Sequence, residues 1–264
     1  ALTHRGGRLM CGFPYHAKDN YLFKLVKANK KVAICEQVEE PGKSKLVKRE
    51  VKELVTPGTF TDENHLAKHS HSFLASFFIE GDEMALAFAD ASTGKLVLVK
   101  ENYDIQRLAS LIHAFKPVEI LLLQTKKELN PLLSSFFTTT LPSYYFSPAM
   151  NEPLLLEHFK VGTLKGLGLA DPLLAGACGA VLRYLKENLF QEIHHLKELE
   201  ILRSQAFIYL PESTLKNLEI LEPLFKSGPD SSLFYCLHHT KTAMGSRELR
   251  HWLSYPLRNQ EAIQ

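Results

Sequence analysis

The chain has 264 residues, 45% apolar and 23% charged, which gives room for one large or two small domains with a real core and excludes disordered and collagen-like chains. Thirty-one Lys and Arg against 29 Asp and Glu leave a net charge of only +2, so nucleic-acid binding would need a local patch rather than a bulk field. Cys11, Cys35, Cys178 and Cys236 are too far apart for a disulfide scaffold or a zinc knuckle and read as buried thiols in a reducing compartment; no apolar run approaches the roughly 20 residues that cross a bilayer.

Cys11-Gly12-Phe13-Pro14 reads as a turn leading into a helix, because proline suits a helix start. Ala17, Tyr21, Leu25 and Ala28 then recur on one helical face, with Leu22 and Val26 beside them. Val32 to Cys35 reads as a buried strand, Pro41-Gly42 as a turn and Val47 to Val55 as a second strand; Thr56-Pro57-Gly58-Thr59 closes this segment. The polar stretch 59–70 is the best linker candidate. Beyond it, runs starting at Ser72, Met84 and Leu96, split by Gly81-Asp82 and by Asp90 to Gly94, predict an antiparallel meander. Asp104 is placed to cap a helix with Ile105, Leu108, Ile112 and Phe115 on one face, ended by Pro117. Val118 to Leu123 is continuous enough for a strand buried on both faces, and a helix is expected after Thr125. Three strands, helix, strand, helix is a ribonuclease-H-like order. The remainder reads as mainly helical: a helix capped by Asp171-Pro172 with Gly176, Gly179 and Ala180 allowing close approach, a strand over 200–210, a helix from Pro211, and a last helix whose Leu249, Trp252 and Leu253 form the packed face.

The chemistry-bearing patterns are weak. Gly42-Lys43-Ser44 ends like a phosphate loop, but Gln37 stands where that loop needs glycine. Asp90 to Gly94 is similar to an acidic phosphate-binding turn, yet one carboxylate cannot form a two-metal clamp, and Asp, Ser, Thr and Gly are what a tight turn needs. The adjacent pairs His194-His195 and His238-His239 are poor chelates, and neither H-E-x-x-H nor G-x-S-x-G occurs. Two features point to nucleic acid: the run Lys43, Lys45, Lys48, Arg49, Lys52, and the helix start at Tyr15-His16 approached by Arg5 and Arg8, where free N–H groups attract phosphate.

Longer strings carry a resemblance. Cys11 to Ala17, Tyr21-Leu22, Lys24 to Val26, Val32 to Gln37, Val55 to Thr59, Leu210 to Ile220 and Thr242 to Arg247 with Trp252-Leu253 and Pro256-Leu257 resemble the MutS family of DNA mismatch repair proteins, in the family's order. The resemblance implies three parts: 1–58 as the end of an α/β mismatch-recognition domain, 59–168 as a ribonuclease-H-like connector without nuclease activity, and 169–264 as the start of a helical core. The fold class expected is therefore α/β followed by mainly α. It also implies partners: double-stranded DNA carrying mismatches, the MutL protein, and a second copy in a homodimer formed mostly by other domains. It implies ATP and magnesium as cofactors of a longer protein and none in this chain, and a cytoplasmic location with no membrane. The family's G-x-F-Y-E mismatch-reading string and its Walker ATPase motifs do not occur here; with an opening Ala1 and no tail-like end, the chain reads as an internal piece that neither discriminates mismatches nor hydrolyses ATP. Arg5, Arg8, Tyr15 and His16 are the residues expected on the DNA backbone. A metal-dependent nuclease centred on Asp90 and a pure protein-interaction scaffold are the rival readings.

Overall fold

Three apolar runs with short turns between them fold as a meander, and the rest of the molecule is built on it. In a computed structural model, strands β5 (Leu74–Glu80), β6 (Glu83–Asp90) and β7 (Lys95–Asn102) pair antiparallel in the order of the chain. The structure describes residues 2–5, 7–38, 47–60, 71–123, 129–189, 193–202, 208, 210, 212–224 and 231–263. The turn at Pro41, the cations Lys43 and Lys45, the linker residues 61–70, the stretch after Thr125 and Pro211 lie outside the described residues.

The chain leaves β7 through helix α2 (Ile105–Phe115). Asp104 starts it as expected, its side chain accepting a hydrogen bond from the Gln106 N–H, and Lys116 ends it in the left-handed conformation. Strand β8 (Glu119–Leu123) then pairs parallel with β5, and after the short helix α3 (Asn130–Leu133) strand β9 (Thr138–Leu141) pairs parallel with β8. Helices α4 (Pro148–Phe159) and α5 (Pro172–Leu189) follow, then β10 (Glu198–Leu202), parallel to β7. The sheet is six-stranded, ordered β10-β7-β6-β5-β8-β9.

Both faces of the sheet are covered, which is why β6 is buried along nearly its whole length. On one face Leu74, Ala85, Ala87, Leu96, Leu98 and Leu121 meet α4 and α5. On the other, Phe77, Leu86, Phe88, Val97 and Ile120 meet Leu108, Leu111, Ile112 and Phe115 of α2. Phe88 and Phe115 stack with ring centroids 4.0 Å apart. Asp171 caps α5 through the Leu173 N–H at 2.9 Å. Helix α5 and strand β10 share the core and the sheet of the preceding residues, because Ala177, Val181 and Leu185 turn inward and Leu199 and Ile201 pack beside them. Of the strand expected over 200–210, Glu200–Leu202 lies in β10, and 203–207 and 209 lie outside the described residues.

Two smaller pieces flank this layered unit. Ahead of it stand the hairpin β1 (Leu2–Arg5) and β2 (Arg8–Cys11), helix α1 (Lys18–Lys27), and the antiparallel pair β3 (Val32–Gln37) and β4 (Arg49–Val55). Behind it come α6 (Glu212–Asn217), α7 (Leu233–Leu237), α8 (Ala243–Ser254) and α9 (Gln260–Ile263). Helix α8 is capped by Thr242, which accepts from the Gly245 N–H. Its expected apolar face is not the packed one: Trp252 is 63% exposed, and the buried residues are Ser246 and Ser254. The cysteines depart from expectation too. Cys178 is buried and burial pushes its thiol up, while Cys11, Cys35 and Cys236 are exposed.

Candidate nucleic-acid interface

Arg5 and Arg8 are brought side by side by the β1–β2 hairpin, where they form the last register pair before the turn. Gly7 allows that turn to be tight, with φ at +77°. Tyr15 and His16 lie on a single 3-10 turn, Tyr15–Ala17, which leads into α1 at Lys18; the helix therefore begins later than Pro14. Both residues are exposed. Neither the turn nor α1 has a side chain hydrogen-bonded across its start, so the first N–H groups carry no side-chain cap.

Around this start the structure assembles residues that periodicity alone did not place at an exposed surface. The Phe13 and Tyr21 rings stack at 4.6 Å and 19°, and both are exposed. Lys18 Nζ lies 6.0 Å from the centre of the Tyr15 ring and Lys24 Nζ 5.4 Å from that of Tyr21. Tyr21 and Leu25, expected to face the core, point outward. The buried side of α1 is instead Val26 with Leu22 and Phe23, packed on Val55, Phe60, Val32 and Ile34. Two apolar stripes run along this helix, and the β3–β4 pair decides which one is covered. Of the second basic run, Lys48 pairs with Glu50 at 2.9 Å on an exposed surface, which is worth little.

Asp90, the residue on which a nuclease would rest, is occupied by its own turn. It is 1% exposed and accepts from Ser92 N (3.0 Å), Ser92 Oγ (2.6 Å) and His71 Nδ1 (2.7 Å). Burial alone would raise its carboxyl, but the hydrogen bonds from His71 and Ser92 hold it below its ordinary value. The histidines also serve locally: His195 Nε2 donates to the Ala91 carbonyl at 2.6 Å and His158 Nε2 to Leu196 at 2.7 Å. Among the described residues no three His, Cys, Asp or Glu side chains gather as a metal site.

One polar cluster went unseen in the sequence. Glu119 opens β8, is fully buried, and receives four donors. Thr56 Oγ1 (2.5 Å) and Gly58 N (3.0 Å) bond to Oε2; Thr139 Oγ1 (2.6 Å) and Tyr184 OH (2.8 Å) bond to Oε1. Lys31 Nζ in turn donates to Thr139 Oγ1 at 3.0 Å. Burial and the adjacent Glu119 carboxylate push the Tyr184 phenol up. A glutamate within an apolar run gives no sign of this, since its partners sit up to 65 positions away.

A six-stranded mixed sheet between helical layers, with an α/β piece before it and short helices after it, defines a multidomain α/β protein. Three family models match it in succession: MutS domain I over residues 2–64, MutS domain II over 72–197 and MutS domain III over 213–264. The chain is 39% identical over 257 residues to the DNA mismatch repair protein MutS of Dehalococcoides mccartyi and 37% identical over 259 residues to that of Porphyromonas gingivalis; each match covers 97% of this chain and 30% and 29% of the relative. MutS of Cytophaga hutchinsonii is 34% identical over 273 residues, covering all of this chain and 31% of its own length. The chain thus spans about three tenths of the curated relatives it matches, and it belongs to the MutS family of DNA mismatch repair proteins.

Proposed function

We propose that this chain grips the DNA backbone with its first segment and passes the position of that segment to the sheet and helices behind it. One observation carries the reading: an uncapped helix start ringed by Tyr15, His16, Lys18 and the stacked Phe13–Tyr21 pair, in a segment that also holds the paired Arg5 and Arg8. A helix start without a side-chain cap and nearby cations suit phosphate, and such contacts position a protein without reading sequence. Exposed aromatic faces suit the sugar and base edges beside it.

The strand pattern supports a ribonuclease-H-like connector: three antiparallel strands, then two parallel ones added at the first strand. In this reading the connector keeps that topology without a metal centre and offers a surface to MutL. Mismatch discrimination, ATP and magnesium, and most of the homodimer contact belong to other domains of a longer cytoplasmic protein.

The test is binding to a labelled duplex, matched and mismatched, titrated with salt. Each lost phosphate contact lowers the slope of log affinity against log salt by about 1. Replacing Arg5 and Arg8 together with Ala is expected to lower it by about 2, equally on both duplexes. Binding unchanged by these replacements and by His16→Ala removes the assigned contacts, and no binding at all favours the interaction scaffold.

A further inference from the structure

We propose that Glu119 is the positioning residue that fixes the first segment on the sheet, a pinned point without which that segment would pivot. Two independent observations converge. The first is the donor set: Thr56 and Gly58 come from the turn after β4, Thr139 from β9 and Tyr184 from α5. One carboxylate therefore ties three separate parts of the fold together, and Lys31, from the turn between α1 and β3, reaches the same cluster through Thr139. The turn is itself braced, with the Thr56 N–H donating to Thr59 Oγ1 and Thr59 Oγ1 donating to the Leu54 carbonyl, so it moves as a unit. The second is Gly58. A Cβ at that position would lie 2.5 Å from Leu74 Cδ1 and 2.9 Å from Glu119 Oε2. Its φ is not left-handed; the glycine is there because nothing larger lets the turn close on the carboxylate.

A cleft of about 370 Å³ separates the two sides close by, with Phe23, Val26 and Phe60 on one wall and Val118, Phe136 and Phe137 on the other. An interface with a cleft on one side and a fully buried hydrogen-bonded knot on the other has a natural axis at the knot. Of the four donors on Glu119, three are hydroxyls that can also accept and one, the Gly58 N–H, cannot; a carboxamide of the same shape keeps the Gly58 bond only by turning its NH2 toward Thr139 and Tyr184, whose hydroxyls must rotate to accept it.

The test measures the joint directly, using spin labels on native Cys35 in β3 and on Glu80→Cys at the end of β5, with Cys11 and Cys236 replaced by Ser. The parent is expected to give one narrow distance distribution. Glu119→Gln and Gly58→Ala are each expected to lose the single narrow peak, and the milder Thr56→Val to broaden it if Glu119→Gln fails to fold. Ser76→Ala removes a buried bond to the Ala177 carbonyl away from the joint; it is expected to lower the melting temperature and keep the peak. A narrow, unshifted peak in folded Glu119→Gln and Gly58→Ala, whatever their melting temperatures, makes Glu119 an ordinary core group and overturns the proposal. The consequence for DNA rests on the reading proposed above and is scored separately, by duplex affinity of the same variants: broadened distances with the parent's affinity leave the joint standing and remove its link to DNA.

Discussion

Asn151 occupies the space that a side chain at Gly179 would fill: a Cβ there would sit 2.2 Å from Asn151 Cγ. The amide is held from all sides. Its nitrogen donates to the Tyr145 carbonyl at 2.7 Å, and its oxygen accepts from Arg183 Nη2 at 3.2 Å. Helices α4 and α5 approach this closely because position 179 has no side chain.

Gly179→Ala should therefore destabilise the chain, although alanine is the better helix former. Relieving the overlap means moving a fully buried, hydrogen-bonded side chain, an overpacking cost of about 1–3 kcal/mol, which outweighs the roughly 1 kcal/mol of helix preference. Gly166→Ala, with nothing within 4 Å of its added Cβ, should change stability by no more than about 0.5 kcal/mol. Urea denaturation of both variants decides it.

Asp90 predicts an acid-sensitive core turn. Its carboxyl is held below the ordinary value in the folded state, so the unfolded chain binds that proton more readily. Stability from this group is full above the unfolded value of about 3.9 and is lost as pH falls through the folded one. Unfolding free energy measured from pH 6 down to about 3 should drop more steeply in the parent than in Asp90→Asn; parallel curves would refute the assignment.

Because Ser92 and His71 already claim the Asp90 oxygens, neither the parent nor Asp90→Asn should cleave duplex or single-stranded DNA with magnesium or manganese. Metal-dependent cleavage that disappears in Asp90→Asn would restore the nuclease reading.

Thiol accessibility gives a direct count. Under native conditions a thiol reagent should modify Cys11, Cys35 and Cys236 quickly, and Cys178 only after denaturation. The single tryptophan gives a companion measurement. With Trp252 63% exposed, acrylamide should quench its fluorescence almost as well in the folded chain as in the unfolded one.

The elements that could be read from sequence are those whose determinants are local. The β5–β7 meander follows from apolar runs separated by two- to four-residue turns, the start of α2 from Asp104, and the close approach at α5 from Gly176 and Gly179. What was misread depends on distant partners. Tyr21 and Leu25 satisfy helical spacing as well as Leu22 and Val26 do, and only the β3–β4 pair tells them apart. The pairing of β10 with β7 joins residues about 100 positions apart, and no local pattern encodes it. At the candidate interface, Tyr15 and His16 are suggested by the proline turn before them, whereas Phe13, Tyr21 and Lys24 join them only through the exposed side of α1. Glu119 shows the limit most clearly, since a buried carboxylate is explained by its donors and those are scattered along the chain.

The pairing of β10 with β7 also bears on solubility. An eight-residue strand with an open row of N–H and C=O groups is a template for stacking by a second molecule. Here Glu198–Leu202 covers that row and leaves Glu198 and Glu200 at the new margin, with Lys95 bridged to Glu200 at 3.3 Å, while the opposite margin is the four-residue β9. A chain truncated before residue 198 would uncover β7 and become prone to fibrillar self-association.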